Sequence, residues 1–316
     1  MKRISTLAVA CVTGCALGIT PLLFFTVAHP AALSGRHFTP LPGAPNCPIF
    51  PSTNVWNKDI SALPVARNSA TLIASIGLNI GLHPDFGSNP AYGIPYNIAD
   101  SSTPKVSVKF TYQSESDKGP YPIPSNPQIE QGSDRHLLIV DKDACYLYEI
   151  YGAHYNNGSW YGGSGAIWNL ESNHLRPNGW TSADAAGLPI LAGLVRYDEV
   201  ANGVIDHALR FTAPNTRSMH IYPARHDAGQ GNNPNLPPMG LRVRLKASVD
   251  ISHFSAENQV ILTALKHYGM MLADNGSPWF ITGVSDPHWN DSDLHQLDQI
   301  TGADLEVVDT SKLRNG

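Results

Sequence analysis

Residues 136–151 read HLLIVDKDACYLYEIY. His136 to Val140 and Cys145 to Tyr151 are mostly apolar, β-branched and aromatic runs of strand length. The four residues between them, Asp141-Lys142-Asp143-Ala144, have turn chemistry. Two such runs around a short polar break predict an antiparallel hairpin in the middle of the chain. Strand-length segments continue on both sides. Lys105 to Tyr112 alternates Val106, Val108 and Phe110 with polar residues, as a half-buried strand does. Gly165 to Leu170, Ala208 to Thr212, Met219 to Tyr222 and Leu241 to Lys246 read as further strands. Met270 to Ala273 and Trp279 to Thr282 flank Asp274-Asn275-Gly276-Ser277, the strongest hairpin signal in the sequence.

Helical signals are fewer. Ala66 to Ile76 predicts a short helix, and Ser255 caps a longer one running to Tyr268, with Gly269 as its stop. Asp291 to Ile300 reads as a short polar-faced helix. Arg36 to Pro51 is a Pro-rich lead-in, and Pro84 to Pro104 a long loop punctuated by Gly and Pro. The expected fold is mainly β, a sandwich or jelly-roll-like core with long loops and a few helices. An α+β fold with the C-terminal helix on one sheet is the alternative. The 27 Gly, 25 Pro and charged fraction of 15% argue against a helical bundle, and no internal repeat supports a propeller or solenoid.

The N-terminus carries an export signal. Lys2 and Arg3 precede an uncharged stretch from Ile4 to Val27, and Ala31 to Ser34 has the small residues of a cleavage region. The reading is a signal peptide over residues 1–34 and a single domain over 35–316. An uncleaved membrane anchor and a lipid on Cys15, in Val12-Thr13-Gly14-Cys15, are the competing modes of retention. Removal of residues 1–34 takes away two basic residues and no acid, so the net charge of −5 becomes two units more negative. No basic run offers a footprint for nucleic acid. Cys47 and Cys145 then remain, and an even pair in an exported chain predicts one disulfide.

Chemistry-bearing residues concentrate between 181 and 226. TSADAAGLPILAGLVRYDEVANGVIDHALR, residues 181–210, sets Asp184, Arg196, Asp198, Glu199, Asp206, His207 and Arg210 among small and apolar neighbours. Charges in such a background need partners, so plain ion pairs, Arg196 with Asp198 or Glu199 and Arg210 with Asp206, are the bland reading. The functional reading takes Asp184 and Asp198 as the two carboxyl groups of a glycan-cleaving site, one neutral and one ionised, with Arg196 and Arg210 as binding residues.

Residues 218–226, SMHIYPARH, add His220, Tyr222, Arg225 and His226. On a strand ended by Pro223, His220 and Tyr222 share a face and Met219 and Ile221 turn to the core. A His or Tyr base beside an Arg suits proton abstraction next to a uronate. A metal is the weaker reading, because HxH, HExxH and HxxxH spacings are absent. Trp160 and Trp180 are candidate sugar-stacking residues, and Trp168 a core residue. Ser182 and Ser164 are candidate nucleophiles of an alternative serine hydrolase, although GxSxG is absent. No phosphate loop or GxGxxG implies a cofactor.

The runs TSADAAGLPILAGLVRYDEV, PPMGLRVRLKAS and ALKHYGMMLADNG resemble a group of exported bacterial proteins without an established activity, over Phe50 to Asp309. That resemblance implies export and a single continuous domain and carries no catalytic role. The expected function is therefore a secreted enzyme cleaving a polysaccharide by acid/base chemistry, hydrolase or lyase. A non-catalytic glycan- or cell-wall-binding protein is the alternative.

Overall fold

The computed structural model describes residues 39–314; the expected signal segment 1–34 and Cys15 lie outside the described residues. The strands are β1 (His83–Asp85), β2 (Tyr96–Ala99), β3 (Val108–Phe110), β4 (Leu137–Asp141), β5 (Tyr146–Tyr151), β6 (His154–Asn156), β7 (Ser159–Gly162), β8 (Ser164–Asn169), β9 (Leu209–Ala213), β10 (Arg242–Leu245), β11 (Met270–Asn275), β12 (Phe280–Thr282) and β13 (Leu305–Val307). The helices are α1 (Ser69–Gly77), α2 (Tyr197–Ala201), α3 (Ala256–His267) and α4 (Asp291–Leu294).

The strands form three sheets, ordered β1-β12-β9-β11-β10-β13, β2-β4-β5-β8 and β3-β7-β6. All three are mixed. Parallel pairs β1/β12, β9/β11, β2/β4 and β3/β7 interrupt the antiparallel ladders that a jelly roll would show. The chain is β-rich with few short helices, and α1 packs on β13 and α3 on β10 at one end of the six-stranded sheet.

The 136–151 hairpin forms as expected, with β4 and β5 antiparallel and Leu137 opposite Ile150. All five residues of β4 are buried. The reason is that both faces of its sheet are covered: Leu138, Val140 and Leu147 enter the larger core, while Leu137, Ile139, Tyr148 and Ile150 enter a smaller one. A strand with two covered faces reads as a continuous apolar run rather than an alternation. Each fully buried aliphatic side chain here contributes about 1.5–3 kcal/mol.

Cys47 and Cys145 form the expected disulfide, joining the lead-in to the turn between β4 and β5 across 98 residues of sequence. This oxidised pair is compatible with an extracytoplasmic location. Among the described residues no helix is long and apolar enough to cross a membrane. The Ser255 cap is also present, its hydroxyl accepting the Asn258 N–H at the start of α3.

Two local expectations fail. Met270–Ala273 and Trp279–Thr282 do not pair with each other, because β9 lies between β11 and β12. Leu209, Phe211 and Ala213 of β9 are fully buried, and that apolar strand takes the central place that the turn signal alone would have closed. Met219–Tyr222 is not a strand either. It makes a single bridge, His220 with Met239, before a cis Tyr222–Pro223 peptide. Met219 is 42% exposed and Ile221 half-buried, so neither is a core residue. His220 and Tyr222 consequently do not share a strand face.

Candidate active site

A cleft of about 410 Å³ opens where the 181–188 loop meets the end of β11, and Glu115, Tyr151, Asp184, His226 and Asp274 are among its lining residues. Its construction begins with an irregularity in a ladder. β11 pairs in register with β9 from Met270 to Leu272, then shifts between Leu272 and Asp274. A bulge of this kind bends the strand and re-aims the next side chain. Here it frees the Ala273 carbonyl, which accepts the Ala186 N–H at 2.9 Å and fastens the loop carrying Asp184 to the strand carrying Asp274. The Ala186 carbonyl in turn accepts the Arg225 and His226 N–H groups at 2.9 and 3.2 Å, so the same loop also sets the position of His226. Gly187 completes the turn at φ +69°, where a Cβ would meet the Trp180 carbonyl at 2.5 Å.

Asp184 lies behind the cleft surface, 1% exposed. Arg210, on β9, clamps it with two bonds, Nε to Oδ2 at 3.1 Å and Nη2 to Oδ1 at 2.7 Å, and spends Nη1 on the Thr282 hydroxyl at 2.5 Å. A bidentate guanidinium fixes a full negative charge on this carboxylate. Asp274 is within hydrogen-bonding reach of Asp184 and is partly exposed to the cleft. Burial, and then the neighbouring Asp184 charge, push its carboxyl up to about 7. With the charge held on Asp184 by Arg210, the proton of the pair resides on Asp274. This asymmetry separates the site from a carboxyl dyad whose members share one proton evenly.

On the cleft wall, His226 Nδ1 lies 2.8 Å from the Ala185 carbonyl. A carbonyl only accepts, so Nδ1 carries the hydrogen and the neutral ring keeps a lone pair on Nε2. That nitrogen lies 3.7 Å from Glu115 Oε2. Glu115 also accepts the Thr181 N–H at 3.2 Å. Arg176 holds these pieces together: it is 5% exposed and bonds Asp117 at 2.5 Å, the Glu115 carbonyl at 2.8 Å and the Thr181 carbonyl at 2.8 Å. Its guanidinium stacks on Trp168 and Trp180, at 5.6 and 5.5 Å from the ring centroids.

Beneath the cleft, His136 bonds the Glu130 carboxylate at 2.6 Å and the Ala183 carbonyl at 3.1 Å. Burial works against its protonation, but the Glu130 carboxylate outweighs it and raises the imidazole above its ordinary range. The Asp184 loop thus rests on a second buried charge pair. Glu149, on β5, braces the other end of that loop by accepting the Ile190 and Leu191 N–H groups at 2.9 Å each and the Trp168 indole N–H at 3.2 Å.

The sequence candidates divide accordingly. Asp184, Arg210 and His226 belong to one site, with Arg210 paired to Asp184 rather than Asp206. Asp198 does not join them. It sits in the first turn of α2, bonded to Arg196 at 3.3 Å, in a separate cluster where Arg196 also pairs Glu199 at 2.7 Å and Glu199 meets His207 at 3.2 Å. The paired-carboxyl assignment of Asp184 with Asp198 is therefore replaced by Asp184 with Asp274.

His220 bonds Asp227 through Nδ1 and Asn178 through Nε2, the latter at 3.0 Å, which makes it a loop clasp. Tyr222 lines a different depression, where Arg314 stacks on its ring at 4.9 Å. Arg225 donates Nε to the Arg176 carbonyl at 2.9 Å and holds the loop. Of SMHIYPARH, His226 alone reaches the cleft. Trp168 is core, Trp180 is half-buried on Arg176, and Trp160 is half-buried beside a second depression.

Ser182 and Ser164 are both buried. The Ser182 hydroxyl bonds the Leu188 and Asp184 carbonyls at 2.6 and 2.9 Å, and the Ser164 hydroxyl bonds the Ser182 carbonyl at 2.5 Å. These hydroxyls are tied to main chain, and neither is hydrogen-bonded to an imidazole base. Among the described residues no group of three or more His, Cys, Asp or Glu side chains has the arrangement of a metal site.

Asp274, Glu115 and Arg176 are site residues that the sequence reading did not select. Asp274 was absorbed into a turn signal, and Glu115 and Arg176 lie in segments without periodicity. No family model, curated protein or solved structure matches the chain.

Proposed function

We propose that this protein is an exported enzyme that cleaves a polysaccharide by acid/base chemistry, with Asp274 as the acid and His226 as the base. The observation that carries the reading is the geometry of a cleft-lining carboxyl group, Asp274, set beside a buried carboxylate, Asp184, that Arg210 clamps; burial and then the Asp184 charge push the Asp274 carboxyl up to about 7. A general acid works best when its pKa lies near the operating pH. Asp274 gives its proton to the departing glycosidic oxygen as the C–O bond breaks. His226 Nε2 takes a proton, from the attacking water in hydrolysis or from the carbon beside a uronate carboxylate in elimination. Asp184 and Arg210 are then positioning residues that keep the acid neutral.

The exposed rings of Tyr112 and Tyr151 at the same cleft suit the apolar faces of sugars. Export is supported by the basic and apolar pattern of residues 1–34 and by the Cys47–Cys145 disulfide.

The test is a panel of plant, fungal and bacterial polysaccharides assayed for reducing ends and for the absorbance of unsaturated uronates. Release by the wild-type protein and its loss in Asp274→Asn is the expected result. Retention on an insoluble glycan with no release at any pH would make the protein a binding module instead.

A further inference from the structure

A second depression, of about 930 Å³, lies beside the cleft on the side of the three-stranded sheet. The two share a wall. Asp134 and Tyr151 line the cleft, while Arg135, the residue after Asp134, and Tyr155, four residues beyond Tyr151, line the second depression. Those segments are stitched by Gly152 N–H to the Asp134 carbonyl at 2.8 Å and Ala153 N–H to the Arg135 carbonyl at 3.1 Å. The depression is built from stacking surface and cations. Tyr155, 62% exposed, and Trp160 form a ring pair with centroids 5.3 Å apart. Lys109 and Arg135 are its charged lining residues, and no carboxylate lines it; the Lys109 ammonium lies over the Tyr161 ring at 5.2 Å, on the sheet face away from Trp160, which leaves Arg135 as the cation beside the ring pair. Arg135 donates Nε to the Ala153 carbonyl at 3.1 Å, which orients the guanidinium without neutralising it. On a chain of net charge −5, an aromatic depression whose charged lining residues are all cationic is a local inversion of sign.

We propose that this groove is a binding subsite for an anionic saccharide, a carboxylate meeting Arg135 while a ring stacks on Trp160 and Tyr155. The subsite extends the cleft, so the substrate class is an acidic polysaccharide such as a polyuronate. This rests on the glycan-cleavage reading of the adjoining site. Guanidinium and ammonium groups recognise sugar carboxylates by charge-assisted hydrogen bonds, and aromatic faces hold the ring in register.

Binding is measured by calorimetry on the full chain carrying Asp274→Asn, so that no turnover intervenes. The probes are hexasaccharides of galacturonate, of mannuronate and of hyaluronan, each beside its carboxyl-reduced counterpart. At least one acidic hexasaccharide is expected to bind ten-fold or more tightly than its reduced form. Arg135→Gln is expected to abolish that preference, and Trp160→Ala to weaken both forms equally. The preference should also shrink as salt rises from about 50 mM to about 500 mM, where screening shortens to a few ångströms. Equal binding of acidic and reduced forms, binding of neither, or a preference that survives Arg135→Gln overturns the proposal. Charge-selective binding without any cleavage by the wild-type protein would leave the subsite standing and remove the catalytic reading alone.

Discussion

Replacing Asp274 by Asn should make the protein more stable at alkaline pH while abolishing cleavage. A carboxyl group whose folded-state pKa is raised binds its proton more tightly in the folded chain than in the unfolded one. Its contribution to stability is therefore fully present below the unfolded value and is lost as pH rises through the folded value. For Asp274 the window runs from 3.8 to about 7. At about 1.4 kcal/mol per pH unit, the span corresponds to a ceiling of about 4 kcal/mol, and partial exposure of the side chain lowers the expected effect to about 2 kcal/mol. An amide has the same shape, does not ionise, and can donate an N–H to Asp184. The assay is urea unfolding with the disulfide intact, at pH 5 and pH 8, for wild type and Asp274→Asn. Because the window opens at 3.8, the variant should already exceed wild type slightly at pH 5, and the gap should widen to about 2 kcal/mol at pH 8. Glu149, also pushed up to about 7 by burial, titrates in the same window, so wild type and variant share a residual slope and only their difference reports Asp274. A variant less stable by the same amount at both pH values would refute the reasoning, since it would show an ordinary packing or hydrogen-bonding role.

Three further outcomes are expected. Glu149→Ala leaves three buried donors, two backbone N–H groups and the Trp168 indole, without an acceptor, and should cost about 3 kcal/mol or more in urea unfolding. Reduction of Cys47–Cys145, or their joint replacement by Ala, opens a loop of 98 residues and should lower stability by about 4–5 kcal/mol on the chain-entropy estimate, read as a fall in the urea midpoint. Arg210→Met strips a buried carboxylate of its bidentate partner and should destabilise by about 3–5 kcal/mol, with partial recovery in the double variant with Asp184→Asn measured by the same unfolding assay.

The parts of the molecule legible in the sequence are those whose cause is local. The β4–β5 hairpin follows from two apolar runs around a polar turn, and the α3 cap from Ser255 ahead of an amphipathic stretch. Asp184 and Arg210 could be singled out because charges among small apolar residues need partners. Which partner each takes depends on strand order, and strand order was not visible. The Asp274–Ser277 segment does reverse the chain. What lies between the two arms is β9, a strand from sixty residues earlier that is apolar enough to claim the centre of the sheet. Asp274 thereby becomes the bulged end of a buried strand beside Asp184 rather than the first residue of an exposed turn.

SMHIYPARH shows the opposite limit. Its polar side chains read as one cluster on a strand end, but Asp227 and Asn178 hold His220, the Arg176 carbonyl holds Arg225 and the Ala185 carbonyl holds His226, each in a separate direction. Asp198, beside an aromatic in the sequence, is bonded to Arg196 only two residues away, the plain ion pair that the sequence reading sets beside the catalytic one.

Carbon-detected NMR titration of the Asp274 carboxyl, assigned by its disappearance in Asp274→Asn, tests the acid at the centre of this chemistry most directly. A midpoint near 7 is the expected result. A midpoint near the ordinary aspartate value of about 3.9 would contradict it, because the carboxyl would then be ionised at neutral pH with no proton to give.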